Sequence, residues 1–105
     1  MLKFNRIKNN CFYIEINNIC ICISYESLIG FYDKSNDLLF ISEYYKKYSK
    51  TTTNHIKQFQ KEFFIQNVNY IDNDLFYNIM SEISNKSINT ILNKYIYQND
   101  NFNFD

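Results

Sequence analysis

Apolar and polar residues alternate with period two over the first forty positions, and beyond residue 52 the period lengthens to that of a helix. Cys11–Ile16 and Ile19–Ser24 flank Asn17-Asn18, and asparagine tolerates the left-handed backbone that a two-residue hairpin turn requires. That turn sets Ile16 opposite Ile19, Ile14 opposite Ile21 and Phe12 opposite Ile23. One face is then wholly apolar, while Tyr13, Glu15, Cys20, Cys22 and Ser24 share the other. A slip of one residue would mix the two faces, which fixes the register. Leu28–Tyr32 and Leu38–Ser42 predict a second hairpin around Asp33-Lys34-Ser35-Asn36-Asp37. In it Ile29 meets Ile41, Phe31 meets Leu39, and Gly30 faces the Phe40 ring, where a bare backbone leaves room. The polar turn is too short for a calcium loop and lacks its closing glutamate. Leu2–Ile7 adds a first strand, joined to the hairpin by Asn9-Asn10.

Thr52 or Thr53 is the predicted N-cap of a helix entered at Asn54-His55, because a threonine hydroxyl accepts an orphan amide of the first turn. Ile56, Phe59, Phe63 and Phe64 form its apolar stripe, with His55 at the edge. Asn67–Asn73 reads as a connector containing Val68, Tyr70 and Ile71. Asp72 or Asn73 then caps a helix with the stripe Phe76, Ile79, Met80 and Ile83. A further stripe, Ile88, Ile91, Leu92 and Tyr95, is out of phase with it by roughly 130°. One straight helix cannot present both, so a break is predicted at Ser84–Ser87. The expected fold is a single α+β domain over residues 1–105. It has an antiparallel sheet of four or five strands at about 2–42, helices at about 52–98 and a frayed tail at 99–105. About three helices should pack on one face, with the Phe12, Ile14, Ile16, Ile19, Ile21, Ile23 surface meeting Phe59 and Phe63.

Composition supports a packed core, since 46% of residues are hydrophobic and 19% aromatic. Asparagine and isoleucine make up roughly a third of the chain, alanine is absent, and lysine outnumbers arginine ten to one. Residues with A/T-rich codons are favoured throughout, pointing to an A/T-rich genome. Eleven basic residues balance eleven acidic ones, so no global charge draws the chain to nucleic acid or membrane. Positive charge is nevertheless local. Residues 1–50 hold seven basic and five acidic side chains, and the remainder four and six. The start, Met1-Leu2-Lys3-Phe4-Asn5-Arg6-Ile7, lacks the apolar core of a secretory signal, and no run approaches the roughly 20 apolar residues of a membrane span. A cytoplasmic protein is expected.

Chemical signatures are sparse. Cys11, Cys20 and Cys22 are odd in number, lack a Cys-x-x-Cys spacing and have no histidine nearby, which argues against a disulfide framework and a zinc site. They are expected to serve as small, half-buried hydrophobes. The single histidine has no cysteine or serine partner at a recognisable spacing, and one glycine cannot build a phosphate loop. No catalytic residue, metal or cofactor is predicted. The densest positive charge is Tyr44-Tyr45-Lys46-Lys47-Tyr48-Ser49-Lys50, just ahead of the first helix. Free amides, the positive end of the helix and Lys50 would suit an anion. The predicted contact surface comprises Tyr44, Tyr45, Lys46, Lys47, Tyr48, Lys50, Thr52, His55 and Lys57. The plainer reading is that the threonines cap, His55 packs, and the lysines are a solvated face.

Three segments carry a resemblance: Ser24-Tyr25-Glu26-Ser27-Leu28-Ile29-Gly30-Phe31-Tyr32, Leu39-Phe40-Ile41-Ser42 and Tyr48-Ser49-Lys50-Thr51-Thr52-Thr53-Asn54-His55. Over roughly residues 11–60 the chain resembles a family of uncharacterised small proteins of phages and plasmids from A/T-rich bacteria. There the last segment typically reads Tyr-Ser-any-Thr-Thr-Ser-Lys-His. Thr51, Thr52 and His55 match, whereas Thr53 replaces serine and Asn54 replaces lysine. The resemblance implies an accessory binder in a bacterial host, of the kind that blocks CRISPR–Cas and related defence complexes. The expected partner is a host protein or ribonucleoprotein effector. The alternative is direct nucleic-acid binding through Lys46, Lys47, Lys50, Lys57 and Lys61 with the interleaved tyrosines. Open sheet edges and the uncharged Tyr13, Cys20, Cys22 face further predict a homodimer.

Overall fold

The computed structural model describes residues 2–83. The third predicted helix, the Ser84–Ser87 break and the tail lie outside the described residues. Six strands run side by side in chain order: β1 (Leu2–Lys8), β2 (Cys11–Ile16), β3 (Ile19–Ser24), β4 (Ser27–Asp33), β5 (Leu38–Ser42) and β6 (Val68–Ile71). Helices α1 (Lys50–Phe63) and α2 (Asn73–Glu82) complete the described part. The fold is α+β, as expected, but the sheet has six strands and is mixed. β1 to β5 form an antiparallel meander, and β6 joins β5 in parallel. A parallel neighbour needs a crossover, and α1 supplies it. The predicted connector at Asn67–Asn73 therefore contains a strand.

The first hairpin has the predicted register, with Ile16 opposite Ile19, Ile14 opposite Ile21 and Phe12 opposite Ile23. Asn17 takes the left-handed conformation at φ 54°, and Asn10 does the same at φ 59° between β1 and β2. The second hairpin is displaced by one residue from expectation. Gly30 lies opposite Ile41, Phe31 opposite Phe40 and Tyr32 opposite Leu39. The turn is shorter than predicted because Asp33 still pairs with Leu38. The buried Asp33 carboxylate holds that turn by accepting the amides of Ser35 at 3.0 Å and Asn36 at 3.4 Å. Gly30 consequently faces the Phe40 backbone rather than its ring.

The helices lie on opposite faces of the sheet, not together on one. β4 and β5 are apolar on both sides, and a register irregularity between Cys22 and Ile23 turns Ile29 toward the cysteine face. α1 packs there, with Ile56 and Phe59 against Cys11, Cys22, Ile29, Leu39 and Ile41. Phe63 stacks on Tyr32 with ring centroids 4.4 Å apart and meets Tyr13 edge-on at 5.1 Å. The Phe59 and Phe63 stripe thus covers the Tyr13, Cys20, Cys22 face on which the homodimer expectation partly rested, and not the Phe12–Ile23 surface. All three cysteines are free and buried, and burial pushes the Cys11 and Cys20 thiols up to about 11. On the other face, α2 sets Phe76 and Ile79 against Ile19, Phe31, Phe40 and Ile71. Phe76 and Ile79 are fully buried, and Met80 and Ile83 flank them, as the stripe predicted.

Asp72 caps α2 by accepting the amides of Asp74 at 3.0 Å and Leu75 at 3.2 Å. α1 starts earlier than predicted because Ser49, not a threonine, is its N-cap. The Ser49 hydroxyl accepts the Thr52 amide at 3.0 Å, and the Thr53 hydroxyl donates to the Ser49 carbonyl at 2.9 Å. Both threonines therefore sit inside the first turn.

Candidate binding surface

The sequence between β5 and α1 forms a short, pinned junction. Ser42, fully buried at the end of β5, donates to Asn73 Oδ1 at 2.5 Å and accepts the Tyr44 amide at 3.3 Å. It thereby ties β5 both to the start of α2 and to a single 3-10 turn, Glu43–Tyr45. Tyr45 turns inward and joins the core of Ile29, Leu39, Ile41, Ile56 and Phe59. Its burial raises the phenol pKa above the usual tyrosine range.

Tyr44 and Tyr48 lean on this anchor from outside. Their rings lie 5.0 and 5.3 Å from that of Tyr45 and 5.5 Å from each other. Tyr44 is 58% exposed and Tyr48 57%. The result is a two-ring ledge on a buried third ring, ringed by the exposed Lys46, Lys47 and Lys50. Lys46 reaches over the Tyr70 ring of β6, its Nζ 5.0 Å from the centroid, a cation–π contact that holds one charge at the ledge. Along α1, Lys50, Lys57 and Lys61 recur at i, i+7 and i+11, and all three are exposed. α2 has no basic residue but carries Asp74 and Glu82 behind the Asp72 cap. With Glu62 the one acid on α1, the two helices carry opposite net charge.

Seven of the nine predicted contact residues meet here, in three different roles. Tyr44, Lys46, Lys47, Tyr48 and Lys50 present themselves to solvent, Lys57 extends the charge along α1, and Tyr45 supports from below. Thr52 and His55, at 3% and 2% exposure, face the sheet instead. A buried side chain offers no contact to a partner, so their part is to hold α1 in place. His55 Nδ1 and Ser24 Oγ share a hydrogen bond of 2.7 Å between α1 and β3, and the Cys11 thiol makes a long contact of 4.0 Å to the His55 carbonyl. Burial, and secondarily Lys8, lower the His55 pKa, favouring the neutral ring. Sequence reasoning missed Ser24 and Tyr70, since each reaches its partner only through tertiary pairing. Among the described residues, no group of three His, Cys, Asp or Glu side chains could hold a metal ion. Among the same residues, no helix is long and apolar enough to cross a membrane.

These features define a small α+β domain with a mixed six-stranded sheet between two helices and an aromatic, cationic ledge at one crossover. The chain belongs to a family of unknown function, DUF8033, whose model matches residues 3–75. The match takes in the sheet from Lys3 onward, the ledge, α1 and the start of α2. No curated protein and no solved structure matches the chain.

Proposed function

We propose that the protein acts by binding rather than catalysis, through the Tyr44–Tyr48 ledge and its lysines, in the cytoplasm of a bacterial host. The supporting observation is the ledge itself: two tyrosines more than half exposed, fixed on a buried third and surrounded by solvated positive charge. Tyrosine gives large, rigid contact area at small entropic cost, and lysine steers toward acidic or phosphate-bearing surfaces. In the reading favoured here the protein is phage- or plasmid-borne, and its partner is a nucleic-acid-guided defence complex of the host, which it inhibits. A tagged chain should capture that complex from host lysate with and without nuclease treatment. Changing Lys46, Lys47 and Lys50 together to glutamate should abolish capture and leave Tm nearly unchanged, because exposed charges contribute little to folding. A triple variant that unfolds, or that captures its partner at full strength, refutes the proposal.

Direct nucleic-acid binding is the second reading, favoured by the lysine row of α1 leading away from the ledge. Zero net charge and a single arginine weigh against it, since such binding rests on a phosphate-neutralising surplus. It would show as capture lost on nuclease treatment, and as an affinity of the isolated protein for single strands that falls steeply with salt.

A further inference from the structure

Among the described residues, Asn10, Asn17, Tyr25, Asp37 and Phe64 hold a left-handed backbone without being glycine. Asparagine and aspartate bear that conformation at small cost, because their short polar side chains bond locally, whereas tyrosine does not. Tyr25 sits at φ 58° in the two-residue turn Tyr25-Glu26 between β3 and β4, closed by the Ser24–Ser27 pair. Such a turn ordinarily takes glycine or asparagine here, as Asn10 and Asn17 show in the two turns before it. The strain is held from outside, since the Tyr25 amide donates to the Asn10 carbonyl at 2.8 Å. The ring leans on His55, with centroids 5.5 Å apart, and is still 47% exposed. A costly residue kept with its ring in solvent points to a use for the ring.

That ring is one wall of a cleft of about 600 Å³ lined by Asn10, Phe12, Tyr25, Glu26 and Ser27. The charged group in this lining is the Glu26 carboxylate, which among the described residues is in no ion pair. Lys8, two residues from Asn10, is not part of the lining, and its charge bears on Cys11 and His55 instead. The Asn10 amide oxygen and the Tyr25 and Ser27 hydroxyls can each accept a hydrogen bond, and the faces of Phe12 and Tyr25 attract positive charge. We propose that the cleft takes a guanidinium group, presented as an arginine side chain by a protein partner. A planar guanidinium stacks on an aromatic ring and donates in pairs to a carboxylate, whereas a compact ammonium offers charge alone. An anion would be repelled by Glu26 and by the ring faces alike. A second copy of the chain has a single arginine to offer, Arg6, and that side chain is already bonded to Asn9. Ser27 also lies beside the Tyr45 phenol, so the cleft adjoins the ledge. A partner spanning both would meet lysines at one point and a carboxylate at the next, an alternation that fixes its orientation. The cleft rests on its own observations and does not require the ledge to bind.

Amide spectra of the isotope-labelled full-length protein, titrated with the blocked tripeptide Gly-Arg-Gly at millimolar concentration, test this. The expected result is saturable shifts at Asn10, Tyr25, Glu26 and Ser27, weaker binding of Gly-Lys-Gly and none of Gly-Glu-Gly. Glu26→Gln leaves the fold untouched and should weaken the arginine peptide about tenfold, through the lost charge-assisted pair. Tyr25→Asn should also weaken it, while Tm holds or rises because the strain is relieved. The Lys46, Lys47, Lys50 triple glutamate variant should bind the peptide at least as well as the parent, so the ledge and the cleft can fail separately. Absence of saturable shifts at these residues, or equal binding of all three peptides, overturns the proposal. A Tyr25→Asn protein with lower Tm and intact binding does the same, since the ring would then merely cover His55. Self-association that Arg6→Gln removes would assign the cleft to a second copy and overturn it as well.

Discussion

Gly30→Ala tests the sheet at its narrowest point, because two views of this residue predict opposite signs. Gly30 is not in the left-handed region, and an ordinary strand glycine gains about 0.4–1 kcal/mol on becoming alanine, through the less free unfolded chain. Here, however, a Cβ would collide with the Phe40 carbonyl oxygen and with Ile41 Cδ1, and would stand 3.0 Å from Ile41 Cα. Cδ1 can swing away. The carbonyl and the Cα belong to β5 and can yield only if β4 and β5 separate. Overpacking of a core costs about 1–3 kcal/mol. Each ladder hydrogen bond lost with it adds about 1 kcal/mol. A net loss of about 3 kcal/mol is expected, a large part of the roughly 5–15 kcal/mol of a typical domain. At about 4–8 °C per kcal/mol, Tm should fall by about 12–24 °C. Urea unfolding followed by far-UV circular dichroism measures the loss directly, with the m-value confirming that both chains unfold the same surface. A Gly30→Ala protein as stable as the parent, or more so, refutes the close approach of β4 and β5 at this residue.

Ser49→Ala should cost about 1 kcal/mol in the same urea assay, through the lost N-cap of α1. Phe64 closes α1 in the left-handed conformation at φ 56° with its ring 92% exposed, so Phe64→Asn should stabilise the fold by about 1 kcal/mol. Destabilisation by that change would show that the ring has a structural contact. His55 contributes to the acid limb. Its folded pKa lies below the ordinary 6.5, so under about pH 6.5 the unfolded chain takes up a proton that the folded chain refuses. Stability should therefore fall from pH 7 toward pH 5, by at most about 1.4 kcal/mol per pH unit from this group, and His55→Asn should flatten the slope.

What could be read from the sequence follows how local each decision is. The hairpin at Asn17-Asn18 emerged in its observed register because two asparagines fix the turn and strict alternation fixes the faces. The second hairpin slipped by one because its turn is set by a buried aspartate, which pattern alone assigns to the loop. β6 has four residues and becomes a strand only by pairing with β5, which is distant in sequence. The stripe of α1 was plain, but the face it would choose was not. A signal did exist: Leu38-Leu39-Phe40-Ile41 is an uninterrupted apolar run, the mark of a strand covered on both sides. The ledge was legible as a cluster of tyrosines and lysines. Which ring would turn inward depended on the core beneath it, so Tyr45, Thr52 and His55 could not be told from their exposed neighbours.

Among the described residues, the lysines of α1 and the acids of α2 put opposite charge on the two sides of the sheet. A net charge of zero removes long-range attraction but not torque. In the field of a polyanion or an acidic protein the molecule turns until the α1 side leads. Helices about 10 Å from either face of a sheet put the two poles about 20 Å apart, more than twice the Debye length of about 8 Å at physiological salt. Mobile ions then hide the far pole from any surface the near one touches. At contact on the α1 side, the near charges dominate. A surface approaching from the α1 side therefore meets net positive charge, and one approaching α2 meets net negative charge.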